Sequence, residues 1–487
     1  MEKKKILKST LKFPVIAIAV LFLIIPVLAQ ESVTVESLEF DPETFAEETL
    51  TIGDYTISYR ASEGIVYVAN PLDTYYQSLN VYVPEEYFNG GTVNGYTAET
   101  APIFFPNHVG GYNPGDPGSP GADRDGENPN SEFLALTKGY VVVAPGARGK
   151  TNEFEDGRAY GKAPAGIVDL KAAVRYIRFN DEAIPGDAGK IISNGTSAGG
   201  AMSSLLGATA NHPDYDPFLE EVGAAEATDE IFAASCYCPI TNLENADNAY
   251  EWLFNKVHHY VWMNEGDLTE EQIELSNELK ALFPPYLNSL GLHKPDGTPL
   301  TLDEHGNGTF REYVKSFVID SAQKALEDGV NLSEFDFLTI IGEIVVDIDL
   351  DSFLQHATRM KQPPAFDSLD ASTWENIEFG TEIVGTQHFT RFSYENSTAC
   401  ASLAAVKLIK MMNPMYYIDD ENADTTQNWR IRHGAVDRDT AMPIPVILAT
   451  KLENSGFEVD FFMPWGQGHG GDYDLDELFA WIDSICK

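Results

Sequence analysis

A serine between glycines is the sharpest chemical signal in this sequence. Residues 195–200 read Gly-Thr-Ser-Ala-Gly-Gly, directly after the strand-like segment KIIS and before the helix-like segment AMSSLLGATA. A tight strand-to-helix turn holds its central residue in a strained backbone conformation, and the flanking glycines are needed because no Cβ fits there. The pattern predicts that Ser197 presents its hydroxyl at the edge of a sheet as a nucleophile.

A nucleophilic serine needs a base, and the base needs a carboxylate that orients it. For a serine in such a turn, the chain order is serine, then acid, then histidine. Asp437 follows the strand-like segment WRIRHG, and His469 lies in a glycine-rich loop after the apolar segment FFMPWG. We therefore predict a triad of Ser197, Asp437 and His469. Asp439 is the competing acid, and His433, which ends a strand and precedes Asp437, is the competing base.

Acyl transfer also needs N–H groups that stabilise the negative charge developing on the carbonyl oxygen. One donor should be the amide of Ala198, directly after the nucleophile. The other should come from residues 107–112, Asn-His-Val-Gly-Gly-Tyr, which follow the apolar segment PIFF. Gly111 is the first choice and Gly110 the second, and the alternative is that these glycines only form a tight turn.

Together these segments resemble the bacterial tannases, secreted serine esterases that cleave gallate esters. The resemblance covers nearly all of the chain after residue 29 and includes GTSAGG, PNHVGGY, VVVAPGARG, HGAVDRD, GQGHGG and MKQPPAFDSLDASTWENIEFGT. It implies an α/β-hydrolase fold and agrees with the predicted triad and the two oxyanion donors. It also implies that Lys361, Glu375 and Asp439 hold the three hydroxyls of the galloyl ring.

The chemistry of this trio suits a ring with three phenolic hydroxyls. Each hydroxyl donates and accepts, so the carboxylates of Glu375 and Asp439 can accept while Lys361 donates. An analogue without hydroxyls would leave these charged groups unpaired, so aliphatic esters should be poor substrates. A feruloyl or general carboxylesterase would use the same triad with a different acyl pocket. A non-catalytic hydrolase-like binding protein would usually lack a triad member. None of the predicted steps requires a cofactor.

The elements that must position these residues alternate between strands and helices. Residues 50–83 alternate apolar and polar side chains, which predicts antiparallel strands at one edge of a sheet. Residues 164–179 have apolar side chains at helical spacing. Four short apolar runs end in glycine- or proline-rich turns, at residues 101–111, 138–149, 190–200 and 231–240. This order predicts an α/β fold with a mostly parallel central sheet and helices on both faces.

The strand-helix rhythm breaks at about Ala246 and resumes after Cys400. The intervening residues contain three amphipathic helical segments, at 270–283, 311–329 and 350–361. After the break the strand-helix pattern resumes with a strand-like segment in 428–439, a helix through 449–455, a strand-like segment at 458–466 and a closing helix at 474–487. We therefore predict a signal peptide at 1–29, an α/β-hydrolase domain in two parts at 30–245 and 401–487, and a large, mainly helical lid insertion at 246–400.

The N-terminus has the three regions of a secretory signal peptide. Basic residues in MEKKKILKSTLKF precede an apolar run over residues 14–28, and Val27 and Ala29 occupy a small-residue cleavage site. This predicts export and cleavage after Ala29. A retained membrane anchor is the alternative, because the apolar run is long.

Charge and cysteine content limit the classes of partner and fold. Asp and Glu number 75 against 32 Lys and Arg, a net charge of −43 that repels nucleic acid. We expect a small-molecule galloyl ester as partner, no nucleic acid, and no membrane after signal cleavage. Four cysteines do not make a disulfide scaffold. Cys236 and Cys238 should be buried thiols, and pairing of Cys400 with Cys486 is left open.

One acidic run invites a metal interpretation. Residues 347–351 read Asp-Ile-Asp-Leu-Asp, like the start of a calcium loop. Such a loop needs Gly at its sixth position and Glu at its twelfth, which here are Ser352 and Thr358. We therefore predict no metal at this loop.

Overall fold

The structure, a computed structural model, describes residues 37–487 apart from residues 124, 125 and 127. The predicted signal peptide at residues 1–29 lies outside the described residues. The strands in the described part of the chain are β1 (Ala46–Ile52), β2 (Tyr55–Val66), β3 (Ser78–Pro84), β4 (Pro102–Pro106), β5 (Val141–Pro145), β6 (Asp187–Thr196), β7 (Ala233–Tyr237), β8 (His259–Val261), β9 (Glu265–Asp267), β10 (Leu338–Ile341), β11 (Ile344–Ile348), β12 (Asn428–Arg432) and β13 (Glu458–Phe462).

Nine of these strands form the central sheet, in the order β1-β2-β3-β5-β4-β6-β7-β12-β13. From β1 to β5 the neighbours pair antiparallel, and from β5 to β13 they pair parallel. The parallel strands β4 and β5 are buried at every residue, as expected of strands covered on both faces. Strand β1, at the antiparallel edge, is mostly exposed. The predicted fold, a mostly parallel sheet with an antiparallel edge, is therefore confirmed.

Helices connect the strands and build much of the insertion. In the described part of the chain they are α1 (Glu85–Phe88), α2 (Ser131–Thr137), α3 (Ala165–Phe179), α4 (Ala198–Ala208), α5 (Asp216–Val222), α6 (Leu243–Phe254), α7 (Glu270–Ser289), α8 (Thr309–Glu327), α9 (Leu350–Ala357), α10 (Trp374–Glu378), α11 (Arg391–Glu395), α12 (Val406–Met411), α13 (Pro443–Asn454) and α14 (Leu475–Cys486), with short 3₁₀ turns at Pro42–Thr44 and Pro414–Tyr416. Within the same residues, no helix combines the length and apolar character needed to span a bilayer.

Helix α7 continues to Ser289, six residues beyond the predicted end at residue 283. Two other predicted helix boundaries were wrong for identifiable reasons. Helix α13 begins at Pro443, six residues before the predicted start at residue 449. Its residues from Pro443 to Leu452 are buried except Lys451, so the sequence lacks the polar face that marks an amphipathic helix. Helix α9 ends at Ala357 and not at residue 361, because Thr358 adopts a φ of 64°, outside the helical region.

Residues 246–400, the predicted insertion, contain two β-hairpins that the sequence interpretation missed. Strands β8 and β9 form one hairpin and β10 and β11 the other. The acidic run beside the second hairpin is accounted for by protein contacts. Asp349 accepts the amide N–H of Ser352 at the start of α9, at 3.2 Å, and Asp351 pairs with Lys256 at 2.6 Å and Arg311 at 2.7 Å.

Candidate active site

Ser197 lies in the turn that joins β6 to α4. Its φ of 62° and ψ of −123° are strained for a residue with a side chain. The turn is so tight that a Cβ on Gly195 would lie 2.3 Å from the carbonyl oxygen of Gly199. The amide of Ser197 donates to the carbonyl of Tyr237 at the end of β7, at 2.9 Å. The glycines therefore permit the strained turn, and the neighbouring strand holds it.

Ser197, His469 and Asp437 form a continuous hydrogen-bonded chain. The Nε2 atom of His469 lies 2.8 Å from the Ser197 Oγ, and its Nδ1 atom lies 2.8 Å from the Asp437 Oδ2. The other carboxylate oxygen of Asp437 accepts the amides of Asp439 at 2.8 Å and Thr440 at 3.3 Å. Asp437 is only 1% exposed, so these contacts fix an almost fully buried carboxylate. The arrangement can move a proton from the serine hydroxyl to the imidazole.

Burial and charge act in opposite directions on this pair. Burial disfavours the imidazolium form of His469, but the Asp437 carboxylate outweighs burial and raises the pKa of His469. Burial likewise disfavours the carboxylate form of Asp437, and His469 with His433 holds the pKa of Asp437 well below its usual range. The pair therefore favours a charged imidazolium next to a carboxylate, the state that follows proton transfer from a serine.

The two competing residues take different places. His433 is fully buried, and its Nδ1 lies 3.6 Å from the Asp437 Oδ2, too far for a hydrogen bond. Neither of its ring nitrogens has a hydrogen-bond partner among the described residues. Asp439 places its Oδ1 4.0 Å from the His469 Nε2, on the side of the ring that faces the serine. Of the candidates, only His469 reaches Ser197, and only Asp437 bonds its Nδ1.

Cys238 is a neighbour of this group that the sequence did not single out. It is buried with a free thiol, as predicted, and its Sγ donates to the carbonyl of Gly470 at 3.2 Å. The donor atoms of Cys238, His433 and Asp437 lie within 4.8 Å of one another, so this trio could reach a metal ion. The carboxylate oxygen that His433 approaches is the one that accepts from His469. Cys236, Cys400 and Cys486 are also free thiols.

The amide groups of Ala198 and Gly111 are both available as donors. Neither N–H donates to a protein acceptor in the part of the chain that the structure describes. Gly111 has a φ of 54°, and a Cβ there would lie 2.7 Å from the ring of Trp374. The Nζ of Lys150 donates to the carbonyl of Gly111 and to the Asn113 Oδ1. The glycine loop is thus held between a buried lysine and the first residue of α10.

Lys361, Glu375 and Asp439 come together in the fold, although the first two lie in the insertion. The Nζ of Lys361 is 3.2 Å from the Asp439 Oδ1 and 3.8 Å from the centre of the Phe366 ring. Burial raises the pKa of Glu375, and Lys361 partly offsets this effect. Burial opposes the charge of Lys361, but Asp439 and Glu375 outweigh it and raise the pKa of Lys361. Through Asp439 the trio adjoins His469.

Helix α10 carries a second buried carboxyl that the sequence interpretation missed. Glu378 is 2% exposed, and one of its carboxyl oxygens has no hydrogen-bond partner in the described residues. Burial raises the pKa of Glu378 to about 8, despite the opposing charges of Lys150 and Lys162. Residues three apart share a helix face, so the spacing of Glu375 and Glu378 was a usable signal.

A large cavity opens on the other side of Ser197. Its volume is about 1320 Å³, and it is lined by Ser197 and His469 but by none of Lys361, Glu375 and Asp439. Its walls are polar and apolar in about equal measure. Carboxyl side chains among its lining residues belong to Asp123, Glu132, Asp472, Asp474, Asp476 and Glu477.

Comparison with known proteins gives matches over almost the whole chain. Residues 108–283 match the BD-FAE family. A crystal structure of Fusobacterium nucleatum tannase is 52% identical, covers 93% of this chain and 100% of its own, and superposes with a TM-score of 0.90. The tannin acyl hydrolase of Lactobacillus plantarum is 47% identical over 92% of this chain and 99% of its own, with a TM-score of 0.90.

Two further matches bear on chemistry. A tannin acyl hydrolase solved in complex with ethyl gallate is 47% identical over 92% of this chain and 99% of its own, with a TM-score of 0.89. Esterase LipQ of Mycobacterium tuberculosis is 34% identical over 98 residues. That alignment includes 20% of this chain and spans only about a fifth of the esterase, 22% of its length.

Proposed function

Because the chain belongs to the bacterial tannases, carboxylic ester hydrolases of the α/β-hydrolase fold, we propose that it cleaves galloyl esters into gallate and an alcohol through Ser197, His469 and Asp437. The observation that carries the proposal is the hydrogen-bonded chain of these three side chains, with both links at 2.8 Å. A serine in a strained turn, bonded to a histidine that is oriented by a buried carboxylate, is the arrangement that acyl transfer requires.

In the first step, the Nε2 of His469 takes the hydroxyl proton as the Ser197 Oγ attacks the ester carbonyl. The negative charge that develops on the carbonyl oxygen is stabilised by the amides of Ala198 and Gly111. His469 then gives the proton to the departing alcohol, and an acyl-enzyme forms on Ser197. Water activated by the same histidine attacks the acyl-enzyme and releases gallate.

Lys361, Glu375 and Asp439 recognise the galloyl ring in this proposal. Structures of a homologous tannin acyl hydrolase have been solved in complex with 3,4-dihydroxybenzoate and with ethyl gallate. Both ligands carry adjacent hydroxyls on an aromatic ring. In this chain the trio offers two carboxyl groups and one ammonium beside the catalytic histidine. The ring hydroxyls would satisfy these buried groups, which favours galloyl esters over esters without hydroxyls.

The alcohol part of the substrate occupies the 1320 Å³ cavity on the other side of Ser197. The carboxyl side chains that line part of it suit an alcohol that carries further hydroxyls. Residues 1–29 direct export and are then removed, so that the mature enzyme acts outside the cell.

The proposal is tested by gallate release from methyl gallate, measured beside methyl ferulate and p-nitrophenyl butyrate. We expect rapid cleavage of methyl gallate, little cleavage of the other two esters, and no activity in Ser197→Ala. The variant Ser204→Ala is the matched control and should keep its activity, because Ser204 is also buried on α4 and its hydroxyl donates to the carbonyl of Ala201 in the same helix, at 2.7 Å. Preference for butyrate or ferulate would retain the triad and contradict the roles of Lys361, Glu375 and Asp439.

A further inference from the structure

Helix α6 presents three polar side chains to the insertion segment at residues 359–367. Tyr250 and Glu251 lie three and four residues after Asp247, so both neighbour Asp247 on one face of the helix. Asp247 accepts two main-chain N–H groups near the end of the segment, at 2.7 and 3.1 Å. Glu251 forms a fully buried ion pair with Arg359 at its beginning, at 2.5 Å. The face of α6 thus fixes the main chain of a segment that contains Lys361.

The hydroxyl of Tyr250 also reaches the loop that carries Asp437. It accepts the amides of Met360 at 3.1 Å and Lys361 at 3.0 Å, and it donates to the carbonyl of Arg438 at 2.9 Å. Arg438 is the residue between Asp437 and Asp439. One buried hydroxyl therefore bonds both the main chain that carries Lys361 and the main chain that carries Asp439.

We propose that Tyr250 is a positioning residue for acyl recognition, because its hydroxyl sets where Lys361 stands relative to Asp439. The inference rests on the proposed function of that site. The Nζ of Lys361 lies 3.2 Å from the Asp439 Oδ1, and hydrogen-bonded recognition of a ring loses strength when its donors and acceptors move by about 1 Å. Tyr250 touches neither Ser197 nor His469 by hydrogen bond, so its effect falls on recognition and not on proton transfer.

Substitution of Tyr250 by Phe isolates the hydroxyl from the ring. The ring packs against Phe254 at 4.9 Å and Phe366 at 6.4 Å between centres, and it lies 5.4 Å from the guanidinium of Arg359. Phenylalanine keeps these contacts. It removes the one donor to the Arg438 carbonyl and the one acceptor for the two insertion amides.

The experiment compares kcat and KM of wild type and Tyr250→Phe on methyl gallate and on methyl benzoate, which has the same ring without hydroxyls. We expect kcat/KM on methyl gallate to fall about 5- to 20-fold, mainly through KM, and kcat/KM on methyl benzoate to change less than about 2-fold. Tyr215→Phe is the matched control, since Tyr215 is also fully buried and donates to a main-chain carbonyl, that of Met411, at 2.6 Å. It should leave the ratio between the two esters unchanged.

Three results would overturn the inference. An equal loss on both esters in Tyr250→Phe would mean that the hydroxyl supports the fold and not recognition. An unchanged KM for methyl gallate in Tyr250→Phe would mean that the hydroxyl does not contribute to recognition of the ring. If wild type itself cleaved both esters equally well, the proposed galloyl recognition would fail first, and the inference would fall with it. Only the first two results leave the proposed function standing.

Discussion

At the scale of single residues, Asp437 fixes the orientation of His469. Its Oδ2 fixes the Nδ1 side of the ring, so that the Nε2 faces Ser197. Substitution by Asn keeps the shape but favours the wrong tautomer of His469, and we expect kcat on methyl gallate to fall about 10³- to 10⁴-fold. Steady-state kinetics measure this.

Asp439→Asn should instead raise KM for methyl gallate with a smaller change in kcat. The opposite pattern in the two variants would mean that Asp439 orients His469 and that Asp437 holds the ring.

The pH dependence of activity follows from the pKa of His469. His469 must be neutral to accept the serine proton, and Asp437 raises its pKa, so the imidazolium persists to higher pH than in free histidine. Activity should therefore rise with pH along a limb that lies above about pH 6.5. In Asp437→Asn the limb should move to lower pH, because the charge that raises the pKa is gone. The dependence of kcat/KM on pH, recorded with methyl benzoate because it has no titrating group, gives the pH of this rise in wild type and in Asp437→Asn. A rise at the same pH in both proteins would contradict the pairing of His469 with Asp437.

Glu378 should make stability fall as the pH rises. Its pKa is raised to about 8 in the folded chain, against about 4.3 for an unperturbed glutamate. Between these two pH values the folded state holds a proton that the unfolded state has released, so the free energy of unfolding decreases with increasing pH. Glu378→Gln removes this titration. Thermal unfolding from pH 5 to 8 measures this: the melting temperature of Glu378→Gln should rise relative to that of wild type as the pH increases. Glu382 is an exposed neighbour, and the difference in melting temperature between Glu382→Gln and wild type should not change with pH.

Residue types and chain order were enough to predict which three side chains would meet, because a strand-to-helix turn and two later strand ends restrict the candidates. Ser197, Asp437 and His469 do meet. The sequence did not reveal that Tyr250, Glu378 and Cys238 lie near the site. Their environment depends on which helix face packs against which loop, and a single buried hydroxyl or thiol has no pattern of its own.

At the scale of elements, helix α10 has only five residues and depends on its N-terminal cap. The Thr373 Oγ1 accepts the amide of Asn376 at 3.2 Å in a capping box and also donates to the carbonyl of Phe366. Thr373→Ala should lower the free energy of unfolding by about 1 kcal/mol and raise KM for methyl gallate, since Glu375 lies in this helix.

Thr269 supplies a matched control for that prediction. It forms the same kind of capping box with Gln272 at the start of α7. Thr269→Ala should cost a similar amount of stability, read from denaturant unfolding, and leave KM unchanged. A rise in KM in both variants would show that general destabilisation, and not the position of α10, changes substrate binding.

Elements were predictable where one face is polar. Helices α7 and α8 begin within two residues of their predicted starts. The start of helix α13 was not predicted correctly, because this helix is buried on nearly every side. The hairpins β8–β9 and β10–β11 were missed because strands of three to five residues are too short to establish an alternating pattern.

At the scale of the whole molecule, the net charge of −43 should act on the product more than on the substrate. Methyl gallate is neutral at pH 6, whereas gallate is an anion that the protein repels. Raising NaCl from 10 to 200 mM screens this repulsion, so the inhibition constant of gallate should fall about 2- to 5-fold while KM for methyl gallate stays constant. Inhibition kinetics at the two salt concentrations measure this. A parallel change in both constants would point to a salt effect on the enzyme itself.

The order of strands in the sheet could not be derived from the chain order alone. The sequence predicted both the antiparallel edge and the parallel centre. It did not predict that β5 lies between β3 and β4, since local patterning carries no information about which strands become neighbours.

The pairing of β7 with β12 has an evolutionary consequence. These strands are direct neighbours in the sheet, and the chain between them, residues 238–427, contains the whole insertion with Lys361 and Glu375. A crossover between two parallel strands can change in length without changing their register. Ser197 and the triad loops lie outside this crossover. Under the proposed function, mutation and recombination within one continuous stretch of the gene can therefore alter two of the three side chains that hold the acid, while Asp439 and the residues proposed to cleave the ester are inherited intact.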